Sequence, residues 1–401
     1  MHALLMNDKP RIVFINQVTG YLFIDVINAF AEDTHSILYT GQVDAGNVDL
    51  NKSIKKKFFI RYNRSSPFKR IGSWFIFTIQ CFFYLLFQKK TTELFIVTNP
   101  PFAPFLGYFF YKLRNINYHL LIYDVYPNAL VQFGMAKKGA IIDKLWSRLN
   151  RHLFKNATTI FTLSNNMGSL IKNYYPGATV HTIPNWADTT FIKPVEKSNN
   201  PFAKQYNQVN KITVLYSGNM GATHAIEKIA DLAAAFRDDP MFGFFAIGAG
   251  AKKSKLKKLK EDHQLENLKL LPYQTIEMLP FSLSCADVGI VTLSAGAEDL
   301  SVPSKTYNLL AAGAALMVIA SSKSELAGII EKYKCGVHFE EHETDKMISF
   351  LRQIKDDPQM LQQMKNNARE ASFQFTPANA YKYKSQLNSK MYVSKFAETG
   401  M

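Results

Sequence analysis

The sequence predicts two consecutive α/β domains of similar size, each a parallel sheet covered by helices. Three observations predict this. The chain has 401 residues, too many for one comfortable core. Short apolar runs rich in β-branched residues alternate with amphipathic segments through the first half. After a polar stretch, Ser198 to Asn210, the same alternation begins again. The boundary therefore falls between Asn185 and Asn210: a first domain at 1–190, a linker at 191–210 and a second domain at 211–376. The basic, aromatic tail from Pro377 to Phe396 reads as a closing helix.

Composition narrows the partners. Hydrophobic residues make up 47% and charged residues 20%, so the chain folds. A net charge of +15 calls for an anionic partner: nucleic acid, anionic lipid or a phosphorylated substrate. The three cysteines, Cys81, Cys285 and Cys335, form no metal or redox motif and suggest a reducing compartment. The opening residues lack the pattern of a signal peptide and run straight into a strand, so a cytoplasmic location is expected.

In the first half, Arg11 to Gln17 reads as a strand and Asn16 to Gly20 as the turn after it, leading into a helix at Leu22 to Ala31. A lone Gly20 is too little for a dinucleotide fingerprint. The segment Asn51 to Lys90 holds ten Lys or Arg and no Asp or Glu. Inside it, Ser73 to Phe87 is apolar on nearly all sides but only 15 residues long, short of the ~20 that a membrane span needs. Two readings stand: a helix buried on a sheet, or a helix partly sunk in an anionic membrane surface. Nucleic acid fits less well, because the aromatics form one block and are not interleaved with the charges. Glu93 to Thr98 is a strand stopped by Asn99, Pro100 and Pro101, and Phe102 to Arg114 a helix. Tyr118 to Tyr123 is the next strand, and Asp124 lies just past its end. There a carboxylate could serve acid–base work or hold sugar hydroxyls; equally, it could cap the turn. Ile141 to Phe154 is an amphipathic helix, followed by strands at Ala157 to Ser164 and Thr179 to Ile183.

In the second half, Lys211 to Tyr216 is a strand, and Ser217 to His224 a glycine-containing turn into a helix at Ala225 to Arg237. Gly218 and Gly221 allow close backbone approach to a ligand. His224 could donate to a phosphate, hold a hydroxyl or simply cap the helix. Phe244 to Ile247 is a strand ending in Gly248-Ala249-Gly250, and the lysines after it read as a solvated face. Leu268 to Leu271 is the next strand. Ala286 to Ala320 then reads as strand, loop, helix and strand, with Pro303 and Ser304 starting the helix and Gly313 stopping it. Ser304, Lys305 and Asn308 share one side of its first turn. This stretch is either a plain β-α-β unit or a phosphate site built from a hydroxyl, an ammonium and a helix N-terminus.

Seven motifs fall in one order: TNPP at 98–101, YDVYP at 123–127, IPNWAD at 183–188, YSGNMG at 216–221, AIGAG at 246–250, ADVGIV at 286–291 and VPSKTYNLLAAG at 302–313. In these the chain resembles family 4 of the retaining glycosyltransferases, near the branch that builds colanic acid and O-antigen. The resemblance implies a GT-B fold, two Rossmann-like domains facing a central cleft, with a nucleotide-sugar on the second domain and an acceptor on the first. It implies a metal-independent reaction without a cofactor, in which positive groups hold the departing diphosphate. The implied donor residues are Gly218, Asn219, Gly221, His224, Gly248, Gly250, Pro303, Ser304, Lys305 and Asn308. Lys305 and Asp124 would be catalytic, and Asn16, Gln17, Gly20 and Asp124 would meet the acceptor. Asn308 stands where many relatives carry a glutamate for the ribose, and Leu300 eight residues before it. Asparagine can still bond a diol, but supplies no negative charge. The usual basic residue after the glycine turn is replaced by Thr223 and His224, with Lys228 a turn further on.

The expected activity is transfer from a nucleotide-sugar, UDP-linked by preference, to a growing lipid-linked saccharide. Segment 51–90 would touch the inner face of an anionic membrane, and no nucleic acid would be bound. The rivals are a GT-B sugar-nucleotide epimerase, a basic nucleic-acid-binding protein and a catalytically silent GT-B scaffold.

Overall fold

A computed structural model describes residues 9–132, 134, 136–221, 224–294, 296–297 and 302–387. Thr223, Glu298, Asp299, Leu300 and the tail from 388 onward lie outside the described residues. The chain divides into two compact units, Met1–Pro184 with Pro377–Met401, and Asn185–Thr376.

The first unit carries β1 (Arg11–Ile15), β2 (Val18–Gly20), β3 (His35–Thr40), β4 (Gln42–Asp44), β5 (Lys55–Phe58), β6 (Thr92–Val97), β7 (Tyr118–Ile122), β8 (Thr159–Thr162) and β9 (Val180–Thr182). Among the described residues, seven of these form one parallel sheet in the order β5-β3-β1-β6-β7-β8-β9, while β2 and β4 pair separately. The order runs outward from β1 in both directions, which is the doubly wound arrangement. Strands β7 and β8 are buried along their whole length, because helices cover both faces of a parallel sheet. One side of the core is aromatic: Phe14 touches Phe23, Phe30 and Phe95, and Phe95 stacks on Phe161 at 5.8 Å. The returning helical stretch 379–387 joins this core through Tyr383, 4.8 Å from Phe161.

The second unit carries β10 (Ile212–Ser217), β11 (Phe242–Ile247), β12 (Leu268–Leu271), β13 (Val288–Thr292), β14 (Ala315–Ile319) and β15 (Gly336–Phe339). They form a parallel sheet in the order β12-β11-β10-β13-β14-β15. Val214, Phe244, Val288, Ile290 and Met317 lie in its core.

Three sequence expectations change. The stretch 191–210 is no linker: Pro201–Gln205 is helical, Phe202 is buried 5.5 Å from Phe245, and Asn200 is fully buried. Its polar composition serves caps and an ion pair, so polarity there does not mean solvent. Strand β5 (KKKF) sits inside the basic segment, where three lysines hid the strand signal. It lies at the sheet edge, a place where lysines also discourage pairing with another chain. The apolar helix runs over Pro67–Leu86 and is neither wholly buried nor free. Ser73, Phe77, Cys81 and Leu85, four residues apart, pack inward, while its other sides remain exposed. Among the described residues, no helix is long and apolar enough to cross a membrane.

Candidate functional site

The C-terminal ends of β11, β10 and β13 adjoin, and in an open α/β sheet ligands bind beyond such ends. The turns after β10 and β11 press against each other. The Met220 N–H donates to the Ala249 carbonyl at 2.8 Å, and the Lys252 N–H donates back to the Met220 carbonyl at 3.0 Å. A Cβ on Gly248 would stand 2.0 Å from the Gly218 carbonyl oxygen, and one on Gly250 would stand 2.5 Å from that of Met220. At φ of 141° and 151°, these two positions also require glycine by conformation. The Gly218 and Gly248 N–H groups already donate, to Ile247 and Leu271 carbonyls at 2.9 and 3.0 Å. Gly248 and Gly250 permit one turn to pack on the other. The Gly218 amide, which the sequence reading brought close to a ligand, is already engaged within the fold.

Lys305 opens the helix Lys305–Ala311, anchored beneath by Tyr307, Leu309 and Leu310. Its stem lies over Gly218, whose missing side chain makes the room: a Cβ there would be 3.2 Å from Lys305 Cε. Nζ sits 3.8 Å from the centre of the Tyr216 ring, a cation–π contact, and the Tyr216 hydroxyl donates to the Asn219 carbonyl at 2.6 Å. Among the described residues, Nζ is buried and has no hydrogen-bond partner. Burial pulls its pKa down to about 7. A buried ammonium without an acceptor is costly, and an anion seated here would remove that cost. Ser304 makes no side-chain cap, and the Thr306 and Tyr307 N–H groups bond back to Pro303 and Ser304. The helix has only seven residues, so the ammonium supplies more of the positive charge than the helix end does. Asn308 in this helix, and Pro303 and Ser304 just before it, are half-buried.

His224 stands across from Lys305. Its Nδ1 lies 2.8 Å from the Thr292 carbonyl, which can only accept, so Nδ1 carries the hydrogen. Burial, then the nearby Lys305 charge, lowers its pKa to about 4. The ring is therefore neutral at pH 7, and Nε2 is an acceptor. Of the roles open from sequence, this favours holding a hydroxyl over donating to a phosphate. Lys228 points away, to Thr344 Oγ1 at 2.9 Å. Lys252 instead reaches the His224 carbonyl at 2.7 Å and pairs with Glu227, and Lys253 Nζ donates to the Gly248 carbonyl at 3.2 Å. Read in sequence as a solvated face, this lysine run has its first two members fastened to the glycine turns. Tyr216 and Lys252 were missed; their signals were the aromatic opening YSGNMG and the lysines just after AIGAG.

In the first unit, Asn16 and Gln17 are buried. Gln17 Nε2 donates to the Ser73 and Ile60 carbonyls at 3.0 and 3.3 Å, while its Oε1 has no partner among the described residues. Nothing lies within 4 Å of where a Gly20 Cβ would be. Asp124 follows β7, and its backbone N–H and that of Tyr123 donate to Thr98 Oγ1 at 3.4 and 3.0 Å. Its carboxyl lines a small pocket with Thr98, Phe105, Tyr126, Trp146 and Asn150. Burial raises its pKa to about 6. A group poised there exchanges protons near neutrality. Trp146, stacked on Phe102 and Tyr126 at 5.5 and 6.0 Å, was not singled out from sequence.

Residues 198–371 match the family model for glycosyl transferases group 1. The chain is 27% identical over 297 residues to WcaI of Escherichia coli (strain K12), described as a colanic acid biosynthesis glycosyl transferase, covering 72% of each protein. It is 26% identical over 333 residues to WbjE of Pseudomonas aeruginosa, described as a glycosyltransferase, covering 79% of this chain and 81% of that one. These matches mark the protein as a transferase enzyme that carries a glycosyl transferases group 1 segment. Its fold is GT-B: the solved structure of Anabaena HepE in complex with UDP and glucose superposes with a TM-score of 0.73 at 14% identity, over 95% of this chain and 99% of that one. The matched family segment contains every residue of the Lys305 site, so the ammonium that has no hydrogen-bond partner among the described residues lies inside that segment.

Proposed function

We propose that the protein moves a glycosyl residue from a UDP-sugar to a growing, lipid-linked saccharide of a surface polysaccharide. The reaction would run with retention at the anomeric carbon and without a metal, at the inner face of the cytoplasmic membrane. The observation that carries the donor side is the buried Lys305 ammonium without an acceptor, at the adjoining ends of β10, β11 and β13. As the bond between the anomeric carbon and the β-phosphate oxygen breaks, negative charge gathers on the diphosphate, and Lys305 meets it there. The acceptor oxygen forms the new bond to the same carbon, and its proton leaves with the diphosphate. His224 Nε2 accepts from a sugar hydroxyl, and Asp124 takes a hydrogen bond from the acceptor. The UDP and glucose bound by HepE support the choice of base, and the description of WcaI supports the choice of product. Retention and independence of a metal rest on the motif order.

A melting-temperature screen with UDP, GDP and ADP tests the donor side, since a ligand of the native state stabilises it. UDP should raise the melting temperature most. A flat response to all three would sink the proposal, and product formed from the nucleotide-sugar alone, without acceptor, would point to an epimerase.

A further inference from the structure

The first unit exposes an apolar face across three helices. On Pro67–Leu86, the side opposite Phe77 and Cys81 carries Phe75, Ile79 and Phe83, with Phe68 89% exposed near its start. Pro104–Arg114 adds Phe109 and Leu113, and Ile141–Asn156 adds Ile141, Leu145 and Leu149, four residues apart. The helices precede β6, β7 and β8, which follow β1 in sheet order, so right-handed crossovers lay them side by side on one face. Ring contacts join them: Phe82 to Phe109 at 5.3 Å, and Phe105 to Trp146 at 5.9 Å. Monomeric soluble surfaces rarely show apolar patches of this extent without a use for them.

Charge decides the occupant. The three helices carry eight Lys or Arg and one acidic residue, Asp143. A second copy seated symmetrically would set eight cations against eight. A typical protein interface is depleted in lysine. An anionic bilayer satisfies both properties, taking the aromatic side chains at the acyl boundary and the cations at the headgroups. We propose that this three-helix face seats the protein on an anionic lipid bilayer, through a surface wider than the single helix at 67–86. Two of its helices also supply Phe105, Trp146 and Asn150 to the Asp124 pocket. A lipid-linked acceptor held in the bilayer would thus meet that pocket along the same helices; this last step alone rests on the proposed transfer reaction.

Co-sedimentation of the full chain with vesicles tests the surface, without nucleotide present. Vesicles of equal phosphatidylglycerol and phosphatidylcholine should bind the protein, and pure phosphatidylcholine should bind it at least ~10-fold less. Phe75→Ser with Phe83→Ser and Leu145→Ser should lose most of the binding while leaving the melting temperature and its response to UDP unchanged. Lys144→Glu with Arg148→Glu should weaken binding to the mixed vesicles selectively. The proposal is overturned if the triple variant binds like the parent. It is equally overturned if the parent ignores both vesicles, or is a dimer that the triple variant dissolves. A parent protein that ignores both vesicles yet keeps its UDP response would remove the surface and leave the donor reading standing; a parent that binds the mixed vesicles without any UDP response would do the opposite.

Discussion

At the residue scale, Lys305 joins two effects of opposite sign. Burial lowers its pKa to about 7, so the ligand-free fold prefers the neutral amine. The unfolded chain holds its proton up to the usual lysine range, so ligand-free stability carries the full penalty below pH 7. That penalty is relieved as pH rises from 7 toward the unfolded pKa. Lys305→Met should therefore raise the ligand-free melting temperature at pH 6, by about 2–4 °C for each kcal/mol recovered. The same change should weaken UDP binding by about 10- to 100-fold, as loss of a hydrogen bond to a charged group costs about 1.5–3 kcal/mol. Titration calorimetry from pH 6 to 8 should show the parent losing affinity relative to Lys305→Met as the ammonium deprotonates. Parallel pH profiles for the two proteins would remove Lys305 from the diphosphate.

At the element scale, the paired turns after β10 and β11 determine whether that lysine has a place to lie. Gly248→Ala brings a Cβ within 2.0 Å of the Gly218 carbonyl at a backbone angle that alanine avoids. The cost should exceed ~2 kcal/mol, read as a lower urea midpoint. Gly20→Ala is the control, since open space surrounds that position, and its stability should change by less than ~0.5 kcal/mol. Equal midpoints for the two variants would mean that the turn packing is not held. These elements show what the sequence made legible. Parallel strands betray themselves as apolar runs, so β10, β13 and β14 stood out, and the motif order located Lys305, Gly218 and Gly248. Where an N–H bonds, or which lysine of a run folds back, depends on neighbours distant in sequence. Hence Gly218 seemed a ligand-facing amide and Lys252 a solvated charge, and the tie from Gln17 to the Ser73 and Ile60 carbonyls could not be read. Strand β5 was hidden because edge position, and not composition, makes three lysines compatible with a sheet.

At the scale of the whole molecule, the chain passes between its units twice, after Pro184 and after Thr376. In the second unit one buried carboxylate, Asp287, holds the segments that follow the first passage and precede the second. It pairs with Lys197 from the entering segment and with Lys365, at 2.9 Å, from the helix Pro358–Ser372, and accepts from the Thr213 N–H at 2.8 Å. Arg369 of the same helix donates to the Thr189, Ile192 and Ala311 carbonyls. Burial alone would raise the Asp287 pKa, but Lys197 and Lys365 outweigh it and hold it below the usual aspartate value. A folded pKa so depressed adds stability above the unfolded value that is lost as pH falls through the folded one. Asp287→Asn strands two ammonium groups, and removing one partner of a buried pair costs about 3–5 kcal/mol. Because the cost falls on one unit, urea unfolding should separate into two steps. Tyr216, in the second unit, would report the early step, and aromatic signals from Trp146, in the first, the unchanged late one. A single transition shifted as a whole would show instead that the two units unfold together.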